Sequence, residues 1–412
     1  MPVMKNNRRC AILGSNRDAQ SARECSPARW PGSARPISIL LRRAILLVPA
    51  IVALAAVLSG QTTNSGGLNL TSGKAIFSGA CLTCHGPDGK GMPKSHIGFE
   101  PPATFPIFTV CNATTREPDL DWKAIITHGG PARGFSKIMP SFGDALTSEQ
   151  IDMVIQHLRS FCRETSWPRG ELNLPRALVT EKAFPEDEAI ITTAIKAKGA
   201  SGTDHTITYE RRFGSRNQME VSVPFSFQPQ ENGKWNGGIG DTVLGYRRLL
   251  LSSLRTGSIL SVQGEAILPT GNRNKGFGAG VAIFETFASY GQLLPKQSFL
   301  QFQSGIELPV NTDKASRAVY WRTVFGKSMH QGKGLGRMWS PMIELVADRE
   351  LATGEKTNWD FVPQFQVTLS SRQHIRANFG VRLPANDFGS RPIQFMFYLL
   401  WDWFDGGLRQ GW

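Results

Sequence analysis

The chain has 412 residues, enough for two or three domains. Its formal net charge of +13 could fit a nucleic-acid binder, but residues 1–43 hold nine Lys or Arg against two Asp or Glu and so carry +7 of it. The rest of the excess is spread thinly over a long chain, which excludes a nucleic-acid footprint.

The leader accounts for its own charge. Arg42 and Arg43 precede an apolar run, 44–58, followed by Ser59, Gly60, Gln61 and Thr62. A basic stretch, a short apolar core and small residues at its end predict a secretory signal over 1–60, with an unusually long basic part. The run falls short of the roughly 20 residues of a spanning helix, although an uncleaved anchor is the competing reading. No Cys stands at the cleavage site, which argues against a lipoprotein. Cys10 and Cys25 would leave with the leader.

The second stretch to carry chemistry is Cys81-Leu82-Thr83-Cys84-His85. It reads Cys-x-x-Cys-His, the attachment sequence of a c-type haem. Two thiols two residues apart can each add to a vinyl group of one haem, and His85 can supply an imidazole nitrogen to its iron. A zinc site would need a second Cys/His pair at suitable spacing, and a thioredoxin-like redox pair would need a βαβ context; neither is present. The expected cofactor is therefore one covalently bound haem c, held by Cys81 and Cys84. Export fits, because c-type haem is attached outside the bacterial cytoplasm.

Around the motif, residues 68–165 read as one folded domain. Ser72, Lys74, Ala75, Ile76 and Phe77 predict a short helix whose apolar face, Phe77 included, packs beside the haem. Gly86, Gly89 and Gly91 allow a tight turn past the porphyrin. Residues 96–115 predict a loop around the haem edge, and 121–128 predict a helix with Trp122, Ile125 and Ile126 on its apolar face. Thr147 with Gln150 three residues on reads as a capping box. Ile151, Val154, Ile155, Leu158 and Phe161 then recur at helical spacing. Cys111 and Cys162 form an even pair in an oxidising compartment and read as a disulfide, with two buried free thiols as the alternative.

The sixth iron ligand has several candidates: Met92, Met139, Met153, His96, His128 and His157. Met139 stands in an irregular Gly/Pro-flanked loop, 134–142, just before the last helix, from which a thioether can reach an open haem face. Met153 follows the helix's own apolar period, and His157 reads as solvent-exposed. The whole pattern resembles a class I cytochrome c domain, with Cys-x-x-Cys-His on the first helix and Met139-Pro140 before the last. The resemblance implies an all-α fold, His85 as proximal and Met139 as distal axial ligand, with His128 the runner-up. Pro101 or Pro102 would offer the carbonyl that orients His85. Two axial ligands leave no vacancy for oxygen or peroxide. The expected job is thus one-electron transfer with a periplasmic redox partner protein, not enzymatic catalysis; a haem acting on a substrate would require Met139 to leave the iron.

Residues 166–187 read as a linker, broken by Pro168, Pro175 and Pro185 and ending in the acids Glu186-Asp187-Glu188. From 188 to 412 the period changes to two. Met219, Val221, Val223, Phe225 and Phe227 alternate with Glu220, Ser222, Pro224 and Ser226; four further stretches do the same, with Gln, Glu, Arg, Ser and Thr on the alternate face. Segments of about ten residues with this alternation predict an antiparallel transmembrane β-barrel of about 12 strands. A soluble β-sandwich or lipocalin-like barrel also alternates. Strands near the roughly 9–11 residues a bilayer needs, and the polar alternate face, argue for the membrane. Phe395, Phe397, Tyr398, Trp401 and Trp403 read as an aromatic girdle.

Trp235-Asn236-Gly237-Gly238-Ile239-Gly240-Asp241-Thr242 and Leu268-Pro269-Thr270-Gly271-Asn272 resemble motifs of the outer-membrane barrels called the MetA-pathway of phenol degradation family, described as transporter-like. That resemblance implies contact with outer-membrane lipid and a haem domain in the periplasm beside the barrel's opening. Two functions follow: an outer-membrane-anchored monohaem cytochrome, or a channel for a small organic solute with an accessory redox domain.

Overall fold

A computed structural model describes residues 70–102, 105–197, 201–230, 232–330 and 338–402. The expected leader with Cys10 and Cys25, and Trp403 of the expected girdle, lie outside the described residues.

The N-terminal part is helical. Ser72 caps the first helix by accepting from the Ala75 amide at 3.2 Å. The helix runs Gly73–Ile76, loosens into one π turn at Phe77–Cys81 and resumes at Leu82–His85. Two longer helices follow, Asp119–His128 and Ser148–Arg159. The capping box is present: the Thr147 hydroxyl accepts from the Gln150 amide, and the Gln150 side chain accepts from the Thr147 amide at 2.9 Å. Ile151, Val154, Ile155 and Leu158 pack against Ile76, Phe77, Phe108, Trp122 and Ile126 in one apolar core. The first and last helices cross closely at Gly73, where a Cβ would sit 2.0 Å from the Met153 carbonyl oxygen. Phe77 fills this crossing, beside His157 and Phe161, rather than the wall of a cavity. His157 is correspondingly half-buried, not a free surface histidine. Cys111 and Cys162 are joined, with Cα atoms 5.1 Å apart, so the segment before the helix Asp119–His128 is tied to the end of the last helix.

The rest is a closed antiparallel barrel. Its strands, in order, are β1 Glu188–Lys196, β2 Gly202–Phe213, β3 Asn217–Pro229, the short β4 Trp235–Ile239, β5 Thr242–Ser253, β6 Ser258–Leu268, β7 Ile283–Leu294, β8 Ser298–Pro309, β9 Ala318–Lys327, the two-residue β10 Met329–His330, β11 Met338–Glu350, β12 Asn358–Thr368, β13 Ile375–Pro384 and β14 Gln394–Asp402. Leaving aside β4 and β10, twelve strands pair in sequence. β1 pairs β14 to close the ring, with Glu188 opposite Asp402, as β9 pairs β11 across β10. The expected strand number is therefore borne out.

The barrel is inside-out relative to a soluble domain. Met219, Leu244, Phe284, Phe325, Phe379 and Phe395 are exposed on the outer face, while Gln218, Gln263, Gln303, Glu344 and Asn378 are buried inside. A soluble sandwich would bury the first set and expose the second. Within the girdle, Phe395 and Phe397 face out as expected, but Tyr398 does not. It is buried inward, and its hydroxyl donates to the Gln366 side chain at 2.7 Å. Period-two alternation dictates this, because 397 and 398 cannot share a face.

The two rims differ. One carries the turns 214–216, 254–257, 295–297 and 369–374; the other carries the longer connections 230–241, 269–282, 310–317 and 385–393. The start of β1 and the end of β14 lie at the first rim, where β9 also gives way to β10. At the second rim the two barrel motifs interlock. Asp241 accepts from the Gly271 and Ala279 amides at 2.9 and 2.7 Å, and the Thr270 hydroxyl accepts from the Thr242 amide and donates to the Gly240 carbonyl. Their residues fix loop geometry rather than line a site.

The stretch between the two regions is more than a linker. Leu172, Leu174, Ala177, Leu178, Ala183 and Phe184 are buried against inward side chains of the barrel, among them Phe299, Val324, Met342, Val362, Leu249 and Ile259. Its backbone is satisfied by the barrel's own polar side chains. Glu344 accepts from the Thr180 amide at 2.8 Å, Gln364 from Leu178 at 3.0 Å and Gln218 from Glu186 at 2.6 Å, while Gln301 donates to the Pro175 carbonyl at 2.9 Å. Arg176 pairs with buried Glu188 and Glu210 at 3.0 and 2.8 Å. A largely extended chain is tolerated in this interior because many of its buried backbone groups find such partners.

Candidate functional site

The helical region encloses a cavity of about 420 Å³, in the range of ordinary cofactor sites. Cys81, Cys84 and His85 line it from the end of the first helix, and Met139 with Ile138 and Pro140 lines it from the loop before the last. Most of the remaining wall is apolar, including Phe105, Phe108, Trp122 and Leu158.

Each of these side chains is held by local structure. The first helix ends because Gly86 turns out at φ 73°, which lets the Gly91 amide reach the His85 carbonyl at 2.8 Å and the Met92 amide reach Cys84 at 2.9 Å. The chain then returns along the cavity, and the Phe108 amide bonds the Gly89 carbonyl at 2.8 Å. His85 lies against two aromatic rings, stacked on Phe105 at 5.0 Å and tilted against Phe108 at 5.1 Å. The Met139 loop is pinned to the helix Asp119–His128. Gly130 donates to the Met139 carbonyl at 3.0 Å, Phe142 to Ile126 at 2.9 Å and Gly143 to Thr127 at 3.0 Å.

Of the six candidates for a distal ligand, Met139 alone lines the cavity. His128 and His96 are exposed, Met153 packs in the core, and Met92 and His157 face elsewhere. The expected carbonyl from Pro101 or Pro102 is not in place: His85 Nδ1 is buried with no hydrogen-bond partner among the described residues. The ring is oriented by its two phenylalanine neighbours instead.

The electrostatics suit a neutral ligand set. Burial pushes the His85 imidazole down to about 4, so it is uncharged near neutral pH with a lone pair to offer. Burial, with Cys84 beside it, pushes the Cys81 thiol up to about 11. Cys81 and Cys84 are both unbridged. An apolar cavity presenting two free thiols, a neutral imidazole with a buried unsatisfied nitrogen and one thioether fits a covalently bound haem.

The polar part of the wall was not legible in the sequence. Arg133 and Arg372 are the cations lining the cavity, with Asp121 and Glu117. Asp121 is buried and accepts from Arg133 Nε at 3.0 Å and from Gln373 at 2.6 Å. Arg372 and Gln373 belong to the barrel turn between β12 and β13. Further ties join the regions: Arg116 pairs with Asp187, and Gly170 donates to the Thr115 carbonyl at 2.7 Å. No residue pattern in the turn announces a role 250 positions upstream in the chain.

Residues 68–158 match the family described as cytochrome C oxidase, cbb3-type, subunit III. The match covers the helical region and so ties it to c-type cytochromes, whose domains bind haem c. No curated protein matches the chain. Solved structures resemble the barrel. They include a KdgM porin (TM-score 0.34, 7% identity, 52% of this chain and 99% of that one), an outer membrane channel from Pseudomonas putida F1 (0.37, 11%, 53% and 97%) and LpxR from Salmonella typhimurium (0.36, 7%, 52% and 100%).

Proposed function

We propose that this chain is a monohaem c-type cytochrome that transfers single electrons at the periplasmic face of the outer membrane, held there by its own barrel. The observation that carries the reading is the gathering of Cys81, Cys84, His85 and Met139 on one apolar cavity. In it, Cys81 and Cys84 hold the haem by thioether bonds, and His85 and Met139 are its axial ligands. When bound, the haem supplies a reversible one-electron couple, raised in potential by Met/His relative to bis-His ligation. The chain's own work is to hold that group still and dry. Phe105 and Phe108 fix the plane of the imidazole, the pinned 130–143 loop presents the thioether, and the apolar wall keeps water out.

The helices are read as a class I cytochrome c arrangement, supported by the crossing of the first and last helices at Gly73 and by Met139-Pro140 in the loop between them. The interlocked motifs around Asp241 and Thr270 support kinship of the barrel with the MetA-pathway of phenol degradation barrels. Outer-membrane residence rests on closure and the outward apolar face, which suit lipid. Bacterial barrels keep short turns on the periplasmic side, and the haem region joins the barrel at the short-turn rim, which supports a periplasmic haem.

The other reading is a channel for a small organic solute. Burial of residues 172–187 among the inward side chains weighs against a free lumen. One haem at one rim also cannot carry electrons across a hydrocarbon core about 30 Å thick, so the partner is a second redox protein on the same side. Cell fractionation with haem staining, followed by liposome swelling of the purified protein, tests the choice. A haem-bearing outer-membrane protein with no solute flux is expected. Ready flux, unchanged when Met139 is replaced, would favour the channel.

A further inference from the structure

We propose that the barrel completes the haem site: the turn between β12 and β13 supplies Arg372 as a cationic partner for a haem propionate. The inference rests on the haem reading above and adds to it a residue from outside the cytochrome region.

The turn, residues 369–374, leaves the barrel rim and enters the wall of the cavity. Gln373 is buried and donates to buried Asp121 at 2.6 Å, which anchors the turn on the helix Asp119–His128. Arg372 donates to the Gly134 carbonyl at 3.1 Å, and its guanidinium lies 4.6 Å from the centroid of the Phe135 ring. Gly134 is φ 68°, and a Cβ there would come within 2.9 Å of the Ser371 hydroxyl. The loop and the turn therefore meet at close range. These contacts hold a planar, permanently charged group at the wall of the cavity.

Haem brings two carboxylates into a site whose wall is mostly apolar, with Asp121 and Glu117 already among its charged residues. A carboxylate removed from water without a partner is costly, and Arg is the side chain that matches its geometry with two parallel bonds. Among the residues lining the cavity the cations are Arg133 and Arg372. Arg133 is tied at 3.0 Å to Asp121 and belongs to the helical region. Arg372 is the cation that the barrel adds. A positive charge at the rim of the group favours its electron-rich, reduced form. The potential of the haem thus depends on a folded, docked barrel.

The test is a spectroelectrochemical titration of the purified full-length protein in detergent, as wild type, Arg372→Gln and Arg372→Lys. Haem staining on a denaturing gel and heat-modifiable mobility are read on each sample. The expected result is haem attached and barrel folded in all three. The potential should fall in Arg372→Gln by about a tenfold change in the reduction equilibrium, which is 59 mV for one electron, and most of it should return in Arg372→Lys. Attached haem with the same potential in wild type and Arg372→Gln would overturn this inference alone. An equal fall in the Gln and Lys variants would also overturn it, since the effect would then be packing and not charge. A wild-type protein without haem would overturn the haem reading and this inference together.

Discussion

The helical region and the barrel obey opposite burial rules. Around the cavity the chain hides Ile76, Phe77, Trp122, Ile151 and Val154 in an apolar core and buries a few charges as pairs, such as Arg133 with Asp121. In the barrel, Phe284, Phe325 and Phe379 look outward while Gln218, Gln263 and Gln303 are buried. The same twenty side chains are sorted by two solvents, and the inversion marks where lipid replaces water. A second contrast follows. The cytochrome core is held by apolar contact, which is non-directional. The barrel interior is held by hydrogen bonds and ion pairs to the 170–187 stretch, where each missing partner leaves a buried group stranded.

Four expected outcomes sharpen that contrast. The largest is Cys84→Ala, which should leave no haem held by two thioethers while the barrel keeps its heat-modifiable mobility; a normal c-type spectrum from the variant would refute attachment at this motif. Next, Met139→Ala should lower the reduction potential by a sizeable part of the roughly 0.8 V that axial ligands span. It should also remove the weak long-wavelength band of thioether-ligated ferric haem. Persistence of that band would mean another residue is the ligand.

In the barrel, Arg176→Ala strands Glu210 and takes one of two cations from Glu188, whose other partner is Lys182 at 3.4 Å; both carboxylates are fully buried. A loss of about 3–5 kcal/mol is expected, as for one member removed from a buried ion pair. The temperature of the barrel's gel-mobility transition should drop while the haem spectrum stays unchanged. An unmoved transition would show that the inner stretch does not support the barrel. The smallest effect belongs to the capping box. Thr147→Ala should cost the last helix about 1 kcal/mol, read as an earlier thermal loss of the haem spectrum with no change in barrel mobility.

Much of this was legible in the residues. Cys81, Cys84 and His85 declare themselves by spacing, and Thr147 with Gln150 by local chemistry. The alternation at 219–227 is a period-two signal that survives because each face meets one environment. What escaped has a common cause. Residues 170–187 carry no period, since an extended chain whose amides are met by side chains from β3, β8, β11 and β12 leaves no trace in its own sequence. Tyr398 was placed in the girdle by composition, yet its parity put it inside. Arg372 and Gln373 meet the cavity only through closure of the barrel, so they are contacts of the fold and not of the neighbourhood. His85 was expected to lean on a proline carbonyl, but it is gripped by Phe105 and Phe108, two residues that read simply as apolar loop.

The most direct test of the central claim is a single gel. Outer-membrane protein from cells expressing the full chain is run with and without heating and stained for haem. One band that carries haem and shifts its mobility on heating is expected. A haem-free shifting band, or a haem-bearing protein that stays in the soluble fraction and does not shift, would contradict the joining of a c-type cytochrome to a membrane barrel.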